Sequence, residues 1–187
     1  MASNTAQRLM DAVLLSIREH GYAGTSMQDL LRSTSVSSSS MYHHFPGGKE
    51  ELVASAVRRD GLHAAEQIEQ CLEQYGFAKG VAVIFKAASA EMDSHDFQLG
   101  CPIGVPATEA AADSELIQAA VSEVFEAWAT AYEKAAIGSG LAKTKAASLG
   151  RFIVAAYEGA VTLARSTRSL LPYRDATTVL SRHITAS

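Results

Sequence analysis

Three parts of this 187-residue chain carry side chains whose types and spacing could do chemistry. Glu91 and His95 stand one helical turn apart with Asp93 and Asp96 beside them, an arrangement that can turn a carboxylate and an imidazole toward one metal ion. They come shortly before the break Gly100-Cys101-Pro102, so the expectation is a solvated helix end, with no metal and no cofactor bound. Cys101 could sense oxidants or electrophiles, but no basic residue lies near it in sequence to lower its pKa, and a buried structural cysteine is the expected state. With Cys71 thirty residues away it makes neither a disulfide framework nor a metal quartet, which suits a reducing compartment. The third part is the run Ser37-Ser38-Ser39-Ser40-Met41-Tyr42-His43-His44-Phe45. Read as a helix, it has four hydroxyls on its first turn, Tyr42, His43 and His44 on its last, and Val36, Met41 and Phe45 left to make buried contacts.

That third segment needs elements to hold it. The first helix repeats Ala6, Leu9, Met10, Val13, Leu14 and Ile17 at three- and four-residue steps, with Asn4 or Thr5 as N-cap and Gly21 just past its end. A short second helix, about 27–32, has Thr25 or Ser26 as cap. A third covers about 37–43 and stops at Pro46-Gly47-Gly48; a fourth runs from near Lys49 to about Gln74. Two short helices joined by a turn of about four residues outline a helix-turn-helix over 27–46, whose second helix enters the major groove of DNA. A helix N-terminus with free N–H groups and serines beside it can hold a phosphate or a base edge with little formal charge. Serines also serve simply as caps and as a solvated face, and that plainer reading stands beside the first.

Composition sets the frame. Hydrophobic residues make up 48% and charged residues 19%, alanine occurs 33 times, and all four prolines fall between periodic segments. The chain reads as folded and all-α, with no alternating strand pattern. Its longest apolar run, Phe152 to Tyr157, is far too short to cross a bilayer, and MASNTAQR lacks the apolar core of a signal peptide, so no membrane partner and a cytoplasmic location are expected. The net charge of -4 is uneven: residues 1–60 balance six cations against six anions, and the remainder carries ten against fourteen. Only the first third can face a polyanion without strong repulsion.

Gly21-Tyr22, Thr25, Met27 to Leu31, Val36-Ser37, Tyr42-His43-His44-Phe45 and Lys49-Glu50-Glu51-Leu52, in that order and spacing, give about residues 6–58 a close resemblance to the TetR family of bacterial transcription regulators. It implies that Thr25, Ser26, Tyr42, His43 and Lys49 touch phosphates, that Ser37, Ser38, Ser39, Ser40 and His44 lie on the face that reads bases, and that Phe45 is a core aromatic. Where the family usually has Ala-Gly in the turn, this chain has Thr34-Ser35, so Ser35 must adopt a conformation that glycine takes more easily. The implied organisation is a DNA-binding domain over 4–64, joined by a continuous helix to an effector-binding and dimerisation domain over 65–187.

Beyond Gly76 the periodicity predicts longer helices, roughly 79–92, 104–112, 114–137, 142–168 and 173–185. Phe85, Met92, Phe97, Phe125, Trp128, Tyr132, Phe152 and Tyr157 place bulky groups among alanine-rich helices, which either fill a core or leave room for a small apolar or aromatic effector. The segment Leu99 to Gly104, with Cys101, resembles one found in a branch of the family that responds to aromatic, drug-like compounds. By the same resemblance the last two helices meet their twins in a homodimer, through Phe152, Ile153, Ala156, Ala160, Val161, Ala164, Val179, Leu180 and Ile184. Two recognition helices would then address operator half-sites about 34–36 Å apart. The expected function is a repressor released from a palindromic operator when effector binding tilts the fourth helix. The alternatives are a thiol-sensing regulator working through Cys101 and a helical interaction module that binds no DNA; no enzyme is expected.

Overall fold

The computed structural model describes residues 2–185. Among these residues there are nine helices and no strand: α1 (Ala2–Gly24), α2 (Met27–Thr34), α3 (Ser38–His44), α4 (Gly48–Tyr75), α5 (Phe77–Ser94), α6 (Gly104–Glu109), α7 (Glu115–Gly138), α8 (Lys143–Thr167) and α9 (Leu171–Thr185). The described residues form two compact units, one of residues 2–61 with 100–124 and the other of 62–99 with 125–185.

In the first unit, Leu9, Val13 and Ile17 of α1 are fully buried, as are Leu52, Val53 and Val57 of α4, with Leu30, Met41 and Phe45 completing this part of the core. The helix begins at Ala2, so Asn4 and Thr5 lie within its first turns and neither is its cap. No breaker precedes them, and alanine at position 2 favours the earlier start. At Gly21 the backbone leaves the helix (φ 79°, ψ 172°) before one more turn reaches Gly24. Arg59 of α4 donates to Asp11 and to the Gln7 carbonyl, tying α4 to α1. Residues distant in sequence join the same unit: Gly100 N–H donates to the Arg18 carbonyl (3.0 Å), Arg18 Nε returns a bond to the Gly100 carbonyl (2.9 Å), and Tyr22 N–H donates to Glu109 (2.7 Å).

The turn between α2 and α3 is built locally. Ser26, not Thr25, caps α2, its hydroxyl accepting from Asp29 N–H at 3.3 Å. At the other end Ser35 takes the left-handed conformation (φ 53°, ψ 36°). Its N–H reaches the Arg32 carbonyl and Val36 N–H reaches that of Leu31, a Schellman closure that satisfies the last carbonyls of α2. A left-handed L-residue costs about 1–2 kcal/mol, against about 0.5–1 kcal/mol for the extra entropy glycine loses on folding. Ser35→Gly is therefore expected to stabilise the protein by about 0.5–1 kcal/mol, measured as a higher urea midpoint at unchanged slope.

In the second unit Phe77, Val81, Phe85 and Met92 of α5 are buried together with Ile153 and Val161 of α8 and Tyr173, Leu180 and Ile184 of α9. Helix α5 packs on α8 and α9, and these two pack on each other. Helices α7 and α8 cross closely: a Cβ added at Gly150 would lie 2.4 Å from the Ala129 carbonyl oxygen. Among the described residues no helix is long and apolar enough to cross a membrane.

Candidate nucleic-acid interface and ligand cavity

Helix α3 is the shortest path from sequence to site. Ser37 caps it, its hydroxyl accepting from Ser40 N–H at 3.2 Å, while Met41 and Phe45 are buried beneath. That leaves Ser37, Ser38, Ser39, Tyr42 and His43 exposed on one unit, with Ser40 and His44 half-exposed. Tyr42 is 56% exposed, a large ring held in water beside hydroxyls. His43 and His44 stack edge to face at 5.4 Å. The face thus offers hydroxyls, a phenol and two imidazoles and no lysine or arginine, so its contacts to a polyanion would rest on hydrogen bonds.

Two residues assigned to phosphate contact are otherwise occupied. Thr25 is only 3% exposed; its hydroxyl donates to the Gly21 carbonyl (2.8 Å) and accepts from Ser16 (3.1 Å). Lys49 Nζ donates to the carbonyls of Tyr22 (2.6 Å) and Thr25 (2.8 Å) and lies 4.2 Å from the Tyr22 ring centroid. Burial holds its pKa below the ordinary lysine value. Both side chains tie the end of α1 to the start of α2, and Lys49 brings the first turn of α4 to the same junction. Ser26 is exposed while it caps α2.

The second unit contains a cavity of about 350 Å³ lined by residues of α4 (Ile68, Cys71), α5 (Ile84, Glu91), α7 (Trp128, Tyr132) and α8 (Tyr157), among others. Of the aromatics singled out in the sequence, Trp128, Tyr132 and Tyr157 line it. Phe85 lies behind Tyr157, ring to ring at 5.7 Å, and Phe125 packs edge-on to Trp128 at the same distance. Met92 is buried in the core; Phe97 sits under the Arg168 guanidinium, 5.7 Å away. Phe152 is exposed, and Cys101, 5% exposed, belongs to the first unit. Burial pushes the Tyr132 phenol and the Cys71 thiol above their ordinary pKa values, so both line the cavity as neutral groups. Sequence reading missed Cys71, Glu91 and the α4 residues here, because their spacing is the same as that of a helix face buried in a core.

The acidic set near His95 is dispersed. Asp96 is paired with Arg168 at 2.6 Å, and His95 Nδ1 lies 3.0 Å from the Glu91 carbonyl. Among the residues assigned to a partner helix, Ile153, Ala160, Val161, Ala164, Leu180 and Ile184 are buried within their own chain. Phe152 and Val179 are exposed, and so is Leu163, which the sequence reading passed over.

Comparison with known proteins agrees with this geometry. The family model "Bacterial regulatory proteins, tetR family" matches residues 9–56, and "Transcriptional regulator LmrA/YxaF-like, C-terminal domain" matches residues 77–179. The HTH-type transcriptional regulator LmrA of Bacillus subtilis is 26% identical over 170 residues, covering 90% of each chain. An uncharacterised HTH-type transcriptional regulator of Mycobacterium tuberculosis is 30% identical over 171 residues, covering 89% of this chain and 87% of its own. The fold is shared with the reduced form of E. coli NemR, at a TM-score of 0.84, 16% identity and 95% coverage of both chains. These relatives are regulators, not enzymes. From helix-turn-helix to C-terminal domain, the chain belongs to the TetR family and is a DNA-binding transcription regulator.

Proposed function

We propose that the chain is a ligand-responsive repressor: a homodimer that holds a palindromic operator through the α3 face and leaves it when a small, largely apolar or aromatic molecule enters the second unit. The observation that carries this reading is the 350 Å³ cavity, walled by Trp128, Tyr132, Tyr157 and aliphatic side chains, in the chain that also bears the helix-turn-helix. Cavities of this size and lining are the usual form of a small-molecule site.

Helix α4 supports a route between the two events. Its first turns carry Lys49 and Leu52 in the first unit, and its later turns put Ala64, Gln67, Ile68 and Cys71 on the cavity wall. A ligand that fits the cavity better in one setting of α4 shifts the population toward that setting, with typical coupling of about 1–3 kcal/mol. Dimerisation draws support from the outer side of α8. There Phe152, Ala155, Gly159 and Leu163 are exposed at helical spacing, and nothing lies within 4 Å of where a Gly159 Cβ would be. Small residues between two large apolar ones let a partner helix approach closely. The repressor would work in the cytoplasm, where its DNA is.

Selection of bound sequences from random DNA tests the reading directly. The expected result is a palindrome whose half-sites are centred one helical turn apart; enrichment of a single half-site, or of none, overturns it. On the selected operator, Tyr42→Ala/His43→Ala is expected to lower affinity about 10- to 100-fold without changing the thermal midpoint, measured by fluorescence anisotropy of labelled DNA.

A further inference from the structure

We infer that the cavity in the second unit takes a compact lipophilic cation, held over aromatic rings with its charge toward Glu91. The inference rests on the reading of that cavity as the effector site and names the ligand's chemical class. Its first ground is the charge of the wall. Thirteen residues line the cavity; Glu91 is the acidic one, and none is Lys, Arg or His. A carboxylate at the edge of an apolar space attracts a cation and repels an anion more strongly than it would in open water. Nothing on the wall offers an anionic ligand a charged donor.

The backbone adds to the same field. Glu91 is in the last turn of α5, at the negative end of the helix dipole, where the Glu91, Met92 and Asp93 carbonyls accept from His95, Phe97 and Asp96 N–H, and that turn contains no basic residue. The thiol of Cys71 does not change the balance, because partial burial raises its pKa and keeps it neutral. Aromatic rings supply the remaining recognition. Trp128 and Tyr157 meet at 87° with centroids 6.1 Å apart, and Tyr132 lines the same space. Indole binds cations more strongly than the other aromatic side chains, and rings set at right angles suit a rounded ligand. A volume of about 350 Å³ lies at the small end of ligand sites and fits a skeleton of two or three rings.

Three metallocenes of nearly equal shape separate charge from shape: hydroxymethylcobaltocenium (a cation), ferrocenemethanol (neutral) and ferrocenecarboxylate (an anion). Isothermal titration of the full chain is expected to show the cation binding at least tenfold more tightly than the neutral compound, and the anion more weakly still. In Glu91→Gln, whose side chain is exposed in the parent, the preference for the cation is expected to fall below threefold. Equal binding of cation and neutral compound, no binding of any of the three, or a preference that survives Glu91→Gln overturns the inference. Release of operator DNA, measured in parallel, distinguishes the two readings. Release by ferrocenemethanol but not by the cation keeps the effector reading and overturns this one. Glu91-dependent binding of the cation with no release by any compound overturns the effector reading and supports the cation site.

Discussion

The Phe152→Glu/Leu163→Glu double variant is expected to be a folded monomer that holds its operator at least about 100-fold more weakly than the parent protein. Both side chains are more than half exposed in the single chain, 54% and 55%, so neither is needed for its own fold. On a helix they share one side with Ala155 and Gly159, and burying four carboxylates in a two-fold contact, two from each copy, costs more than such an interface can supply. The loss on DNA follows from linkage. Two half-sites bound by one dimer gain a factor of about 10²–10⁴ over either alone, and separate monomers lose that factor without losing a single contact of α3. Sedimentation equilibrium gives the mass and an anisotropy titration gives the affinity. A parent that is already monomeric, or a variant that stays dimeric, would count against the α8 contact.

The second large effect concerns the crossing of α7 and α8. Gly150→Ala is expected to destabilise the protein by about 3 kcal/mol, although alanine in place of glycine normally gains about 0.5–1 kcal/mol in a helix. The added methyl would lie 2.4 Å from the Ala129 carbonyl oxygen and 3.2 Å from the Glu133 nitrogen. These are backbone atoms of a neighbouring helix and cannot turn aside as a side chain can, so the two helices must separate along their length. Gly159→Ala, made in the monomeric background, is the control: open space surrounds that position, and the ordinary gain of about 0.5–1 kcal/mol is expected. Urea denaturation measures both. Equal stability of Gly150→Ala and the parent would count against a close crossing of α7 and α8 at this glycine.

The contrast between these glycines also bears on what can be read in a sequence. Gly150 and Gly159 sit in the same helix and look alike there; only the position of Ala129, twenty-one residues earlier, separates them. Local features were legible. A cap at Thr25 or Ser26, the unusual conformation of Ser35 and the end of α3 before Pro46 all depend on neighbours within five residues, whereas Ser37, read as the first residue of its helix, is the cap of α3. The bonds that hold Lys49 were not legible, because its ammonium is held by carbonyls 24 and 27 residues away. The same distance effect hid the joining of Gly100 to Arg18, 82 residues apart. In the second unit the bulky rings stood out against alanine, but periodicity does not say which side of a helix meets a core and which meets a cavity. Helix α8 carries apolar residues on both sides, and its inward set, Ile153, Ala160, Val161 and Ala164, was read from the sequence as facing a partner.

Trp128 is the chain's one tryptophan, and it stands in the cavity wall, 7% exposed, between Phe125 and Tyr157. Excited at the red edge of the ultraviolet band, the protein emits from that site and from nowhere else. Occupancy can then be followed by the colour and lifetime of that emission in unlabelled protein, inside a mixture that already contains operator, so arrival of a ligand and departure of DNA can be timed in one cuvette.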